Sequence, residues 1–369
     1  MTGAKKTLNL ETDPITLTEE LVDIASPSHH EKDIADAIEA ALKQVDGVEV
    51  WRFNNNVLAR TQRGLGQRVI LAGHMDTVPI ADNVPSHRAQ DKDGQDTLFG
   101  CGSVDMKSGL AVYLHAFAVC ANDPALKRDI TLVAYEGEEV ASEFNGLGHI
   151  QEQHPEWLEG EVALLGEPSG GIIEAGCQGS IRIKVIAEGV RAHSARSWLG
   201  INAMHRLAPV LTRIIDYQPR GVDIDGCEYR EGLNVVHVES GVATNTIPDE
   251  AWMFVNFRFA PDRSIDEAIT HVLDVLNLED DEGVSYEVDD AVPGALPGLS
   301  RPAAAELVAA TGGKFRAKYG WTDVSRFSAT GIPAVNFGPG DPSFAHKRDE
   351  QCPVWMITEV ASTLINWLR

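Results

Sequence analysis

The sequence predicts a two-domain α/β protein: a helix-flanked sheet interrupted by an inserted β-α-β-β-α-β unit of about 110 residues. Two observations carry this. Short apolar runs at Val69–Ala72, Ile130–Tyr135 and Val162–Leu165 each end in polar or acidic residues, as buried strands do where their C-terminal tips open into a cleft. After Gly179 the texture changes to alternating strands separated by amphipathic helices. At 369 residues the chain is long for a single core, so two domains are the default.

In chain order, Pro14–Ile24 reads as a helix through Leu17, Leu21 and Ile24. Ser28-His29-His30-Glu31 has capping-box spacing ahead of a second helix through Ile34, Ala37, Ile38 and Leu42. His29 and His30 diverge in its first turn and read as solvated surface. Val48–Arg52 and Asn56–Thr61 alternate as strands around an Asn54-Asn55 turn. In Val69–Asp82, VILAGHMDTVPIAD, His74 and Asp76 are one strand period apart and share a face. A His and an Asp at a strand tip also suit an ordinary turn, so their meaning depends on the rest of the chain.

LFGCGSVDMKSG, residues 98–109, places Asp105 just before the apolar helix Leu110–Ala121; a carboxylate there is either an N-cap or a ligand. Glu136-Gly137-Glu138-Glu139 crowds three carboxylates at a strand end, and Gly166-Glu167-Pro168 ends the next strand. Such crowding is solvated or held by a cation. In the inserted unit, Ile181–Glu188, Leu233–Val242, Ala251–Ala260 and Val284–Val288 read as strands, and Asn202–Tyr217 and Ile265–Leu278 as helices, the ferredoxin-like order. The domains expected are residues 1–178 and 291–369 for the first and 179–290 for the insertion. A helix at Ala303–Ala310, apolar pieces at Ile332–Phe337, a Gly/Pro-rich loop with His346 and a closing helix Val354–Leu368 complete the chain.

The formal net charge is −24, from 31 basic and 55 acidic side chains, which argues against nucleic acid or an anionic membrane as partner. The start, MTGAKKTLNLETDP, shows no apolar leader, and no stretch reaches the roughly 18 apolar residues of a membrane span. Five scattered cysteines without a CxxC pair suit reduced thiols in a cytoplasm.

His74, Asp105, Glu139, Glu167 and His346 make two histidines and three carboxylates. That set suits two zinc-type divalent ions roughly 3.5 Å apart, with one carboxylate between them. Magnesium would want fewer nitrogens, and so few thiolates exclude iron–sulfur. Glu138, next to a ligand on an extended segment, is expected to point away from the ion that Glu139 binds and to serve as a base.

With GHMDTVP, GCGSVDMKSG, EGEEV, LGEP, RAHSARSWLGINA, NFRF, GWTDVSRF and FAHKRDE in this order, the chain resembles the co-catalytic zinc aminoacylase/carboxypeptidase family over nearly its whole length. The likeness is greatest to the actinobacterial branch that removes succinate from N-succinyl-LL-2,6-diaminopimelate in lysine and cell-wall precursor synthesis. The resemblance implies a zinc-peptidase-like catalytic domain, with a central mixed sheet flanked by helices, interrupted by a ferredoxin-like lid that forms a homodimer. It implies that His74 and Glu167 bind one metal, that Glu139 and His346 bind the other, and that Asp105 bridges them. Zinc is expected, with cobalt or manganese as alternatives. Asp76 would orient His74, Glu138 would be the general base, and the peptide after Asp105 would be cis. His193 would reach the partner subunit's site, and Arg258, Asn245, Thr322 and Ser180 would hold substrate. Lys347, Arg348 and Arg326 are further candidates for binding its carboxylates. Gly137 and Ser108 stand where an acid and a glycine are usual, and Cys177-Gln178 where some relatives carry arginines. The expected protein is a cytoplasmic enzyme acting on a small molecule. The alternatives are an acetylornithine deacetylase, aminoacylase or dipeptidase of the same family, or a metal-dependent binding protein without catalysis.

Overall fold

A computed structural model of the protein describes residues 7–369; the sequence reading of residues 1–6 as part of a leaderless start lies outside them. The chain divides into two units. The first comprises Met1–Ala175, Pro297–Arg316 and Arg326–Arg369, and the second Gly176–Leu296 and Ala317–Ser325. Assignment of Ala317–Ser325 to the second unit differs from the sequence reading, which left that segment, with Thr322, in the first. Among the described residues no helix is long and apolar enough to cross a membrane.

In the first unit, strand Arg68–His74 runs parallel to Asp129–Tyr135 on one side and to Val162–Leu165 on the other. Ala334–Asn336 extends the parallel set beyond Val162–Leu165. Val69, Ile70, Leu71 and Ala72 are fully buried; a strand covered on both faces has no solvent side, so its apolar residues run continuously instead of alternating. The strands Asn56–Thr61 and Val48–Phe53 close one edge antiparallel, which makes the sheet mixed. Helix Lys107–Ala121 is apolar nearly all round and buried along its length, as a helix packed on several sides must be. Because the four parallel strands point the same way, their C-terminal ends share one edge of the sheet.

Local structure departs from the sequence expectation at one capping box, decides one open alternative and adds one small sheet. Helix Lys32–Leu42 has no side-chain N-cap bond, so the expected Ser28–Glu31 capping box does not form; the Ser28 hydroxyl donates to Asp76 at 2.8 Å, and Glu31 accepts the His29 N–H. Asp105 does not cap the next helix, which begins at Lys107 with Met106 as its cap residue. The sequence reading also passed over a small sheet of His87–Gln90, Asp96–Phe99 and Gln351–Pro353, whose strands are too short for period-2 alternation to register.

The second unit holds a four-stranded antiparallel sheet in the order Gly232–Ser240, Glu250–Phe259, Gly179–Glu188, Val284–Val292. Relative to chain order this is 2-3-1-4, with helices Ala203–Ile215 and Ile265–Leu276 supplying the two crossovers. Inward residues Ile181, Ile183, Val185, Met253, Val255 and Phe257 form one core with Leu207, Val210, Val272 and Leu276 of the helices. Here a capping box does form, with Ser264 and Glu267 bonded reciprocally. A hairpin of Gly221–Ile224 and Cys227–Arg230, absent from the sequence reading, lies between the first helix and the second strand.

Candidate metal centre

The shared edge of the parallel strands explains the site. His74 is the last residue of its strand, Glu138 and Glu139 follow Asp129–Tyr135, and Glu167 follows Val162–Leu165. The loop carrying His346 follows Ala334–Asn336. The sequence reading recognised three ligand-bearing strand tips; the fourth was obscured because its strand is only three residues long. Asp105 arrives from the turn that enters helix Lys107–Ala121, where the Asp105–Met106 peptide is cis, as the resemblance implied.

His74 is fully buried. Its Nδ1 donates to the Asp76 backbone carbonyl at 3.0 Å, which assigns the proton to that nitrogen and leaves Nε2 as the ligand atom. Nε2 lies 3.3 Å from Asp105 Oδ1 and 3.9 Å from Glu167 Oε1. On the other side, His346 Nε2 lies 3.3 Å from Asp105 Oδ2 and 3.0 Å from Glu139 Oε2. Each Asp105 oxygen therefore faces a different histidine. Ligand atoms around a tetrahedral zinc are roughly 3.3 Å apart, and these separations fit two such ions sharing one carboxylate. Within each of three groups the candidate ligand atoms all lie within 4.8 Å of one another: His74–Asp105–Glu167, Asp105–Glu139–His346 and His74–Glu138–Glu139. The last group puts Glu138 beside the pocket.

The charges agree with a cation site. Hydrogen bonding to the Asp105 carboxylate raises the His346 pKa to about 9 despite partial burial, with Glu139 adding to the effect. Burial opposes charging of His74, yet its bonds to Asp105 and Asp76 raise its pKa well above the usual range. Burial would raise Asp105, but the two histidines hold it well below a normal carboxylate. Burial, followed by repulsion from Asp105, raises Glu139. Protons and divalent cations compete for the same lone pairs, and the carboxylates of Asp105, Glu139 and Glu167 facing these two histidines favour positive charge there.

Asp76 meets the His74 ring with both its backbone carbonyl and its carboxylate, the carbonyl more closely. Its backbone carbonyl makes the 3.0 Å bond to His74; carboxylate Oδ1 is 3.5 Å from that ring. The two carboxylate oxygens also accept the backbone N–H groups of Glu138 and Glu139, each at 3.1 Å. Sequence reasoning missed Glu350 altogether, although it lies in the quoted FAHKRDE. Its buried carboxylate accepts the N–H groups of Gly102, Val104 and Asp105, and burial pushes its pKa up to about 7. The one available signal was its spacing, four residues beyond His346.

Arg326, Lys347 and Arg348 lie in the first unit, where Arg326 donates to the Ser142 hydroxyl, Lys347 sits over the Phe344 ring and Arg348 pairs with Asp82; His193, Asn245, Arg258, Ser180 and Thr322 lie in the second. His193 pairs with Thr246 in a two-residue ribbon, and the adjacent Ser194 donates its N–H to the Asn245 carbonyl. His193 is exposed, and its Nδ1 accepts the Ala195 N–H at 3.1 Å, so a neutral ring carries its proton on Nε2. Arg258 and Ser180 are directly paired across neighbouring strands. Thr322 is buried, and its carbonyl accepts from the Cys177 thiol.

Residues 70–369 match the Peptidase family M20/M25/M40. A succinyl-diaminopimelate desuccinylase of Corynebacterium glutamicum is 63% identical over 367 residues, covering 99% of this chain and 98% of its own. Among solved structures, a tripeptidase of Staphylococcus aureus superposes with a TM-score of 0.77 at 23% identity, covering 98% of each chain. A dinuclear metal binding M20 peptidase of Bacillus subtilis gives 0.71 at 14% identity over 97% of each. The fold, the extent of the match and the full-length likeness agree: this chain belongs to peptidase family M20/M25/M40.

Proposed function

We propose that the protein hydrolyses N-succinyl-LL-2,6-diaminopimelate to succinate and LL-2,6-diaminopimelate, using two divalent cations. The observation that carries the chemistry is Asp105, whose two oxygens each lie 3.3 Å from a different histidine. The substrate follows from the 63% identity, over almost the full length of both chains, to the Corynebacterium enzyme.

His74 and Glu167 would hold one ion, Glu139 and His346 the other, and Asp105 both. Two imidazoles among oxygens favour zinc, with cobalt or manganese as alternatives. When bound, the ions supply Lewis-acid polarisation of the amide carbonyl and acidify the attacking water. Glu138 accepts a proton from that water as the water oxygen bonds to the amide carbon, and passes it to the leaving nitrogen as the C–N bond breaks. Asp76 fixes the backbone that presents Glu138 and Glu139. The partner's His193, with Nε2–H available, donates to the carbonyl oxygen as negative charge develops there. Arg258, with Asn245, Thr322 and Ser180, binds the substrate carboxylates; a guanidinium suits them because its fork is bidentate.

We read the enzyme as a cytoplasmic homodimer formed through residues 179–290. Exposed Val236 and Val238 on the edge strand Gly232–Ser240 support that surface as the one that pairs.

The test is hydrolysis of succinyl-diaminopimelate before and after chelation, compared with N-acetylornithine. Activity should vanish on metal removal and return with zinc, and kcat/KM should favour the succinyl substrate by about 100-fold. Equal or better turnover of acetylornithine would overturn the substrate assignment, and chelator-resistant turnover would overturn the chemistry.

A further inference from the structure

We propose that Glu350 is a positioning residue that clamps the Asp105 loop to the His346 loop and so sets how tightly the metal pair is held. This rests on reading the site as dinuclear. Glu350 is itself in none of the candidate metal groups among the described residues; it would act through Asp105.

Glu350 is 2% exposed. Its Oε1 accepts the N–H groups of both Val104 and Asp105 at 3.0 Å, and its Oε2 accepts that of Gly102 at 2.9 Å. Its backbone carbonyl accepts the Gly100 N–H at 3.1 Å. Four N–H groups of a six-residue turn thus end on one residue that is 245 positions away from Asp105. The very next residues, Gln351–Pro353, pair antiparallel with Thr97–Phe99, which lead into the same turn.

The two loops also touch. Gly340, near the start of the His346 loop, has φ +90, and a Cβ there would lie 2.3 Å from Val104 Cγ2. Gly102 has φ +85, and a Cβ there would meet Thr77 at 2.9 Å. With both loops confined, the acceptor at their junction decides where the Asp105 backbone rests. Only an acceptor with two oxygens satisfies these three donors. A glutamine would turn its NH2 toward at least one N–H and leave that donor unpaired. The partner of a metal ligand commonly controls metal affinity without touching the ion.

The experiment is calorimetric zinc titration of chelator-stripped wild type, Glu350→Gln and Glu350→Asp, alongside melting of the stripped proteins. Asp129→Asn is the control. Asp129 accepts three backbone N–H groups and the Thr61 hydroxyl, but lies at the opposite end of its strand from Glu138 and Glu139. In Glu350→Gln the dissociation constant of the weaker ion should rise about 10–100-fold. Asp129→Asn should lower the melting temperature and keep wild-type zinc affinity, which is the pattern of a merely structural carboxylate. Two ions bound to Glu350→Gln with wild-type affinity would overturn the proposal. Should that variant not fold, Glu350→Asp, which keeps both oxygens but is one methylene shorter, carries the same expectation and the same overturning result. Failure of both to fold would make Glu350 a structural residue and also overturn it. Fewer than two zinc ions on the wild type is a separate outcome, which would defeat the dinuclear reading and this inference with it.

Discussion

The carboxylate of Asp76 accepts the backbone N–H of Glu138 at 3.1 Å. Its other oxygen accepts the N–H of Glu139 at 3.1 Å and the Ser28 hydroxyl at 2.8 Å. One buried residue therefore positions Glu138, Glu139 and, through its backbone carbonyl, the His74 ring. Asp76→Asn replaces one acceptor with a donor. Activity should fall by about 10–100-fold with the fold intact by circular dichroism. Ser28→Ala removes only one of the bonds and should cost less. A larger loss in Ser28→Ala than in Asp76→Asn would show that the Asp76 contacts are not what matters.

Glu138 and Glu139 are neighbours to which we assign different roles. Glu138→Gln should keep two metals per chain by elemental analysis while kcat falls about 10²–10⁴-fold, as when a general base is lost. Glu139→Ala should release metal. Equal metal loss in the two variants would contradict the assignment.

If each active site takes His193 from the second copy, two inactive variants should complement. Glu138→Ala and His193→Ala, refolded together in equal amounts, give half heterodimers by statistics, and one site in each is intact. About a quarter of wild-type activity should return. Heterodimers without activity would mean that His193 serves its own chain.

The Asp129 carboxylate bears on acid stability. Burial would raise its pKa, but the Thr61 hydroxyl and the backbone N–H groups of Arg63 and Leu65 lower it below the usual 3.8. A folded-state value below the unfolded one stabilises the fold above the unfolded pKa, and that contribution is lost as pH falls through the folded value. Asp129→Asn should therefore cost about 1–3 kcal/mol at pH 7, and denaturant titrations should show the gap to wild type narrowing below about pH 4. A gap independent of pH would assign the loss to shape rather than charge.

What the sequence determined by itself follows from short-range physics. An apolar run ending in Gly73-His74 or Gly166-Glu167 reads as a buried strand with a polar tip, because four apolar residues before a glycine are too few for a buried helix. The inserted unit was legible for the same reason: Ile181, Ile183 and Val185 must face one side of a strand. Tertiary structure alone decided which polar groups meet. Ser28 and Glu31 have capping-box spacing, yet Ser28 bonds to Asp76, because capping competes with any acceptor that folding brings near. Glu350 looked like one more acidic residue in a charged loop, since its three donors lie about 245 residues earlier in the chain. Hydrophobic periodicity records which face of an element is buried. It holds no record of which backbone N–H will lie opposite a given carboxylate, because that depends on how distant strands align, and here the parallel strands brought the candidate ligands to one edge.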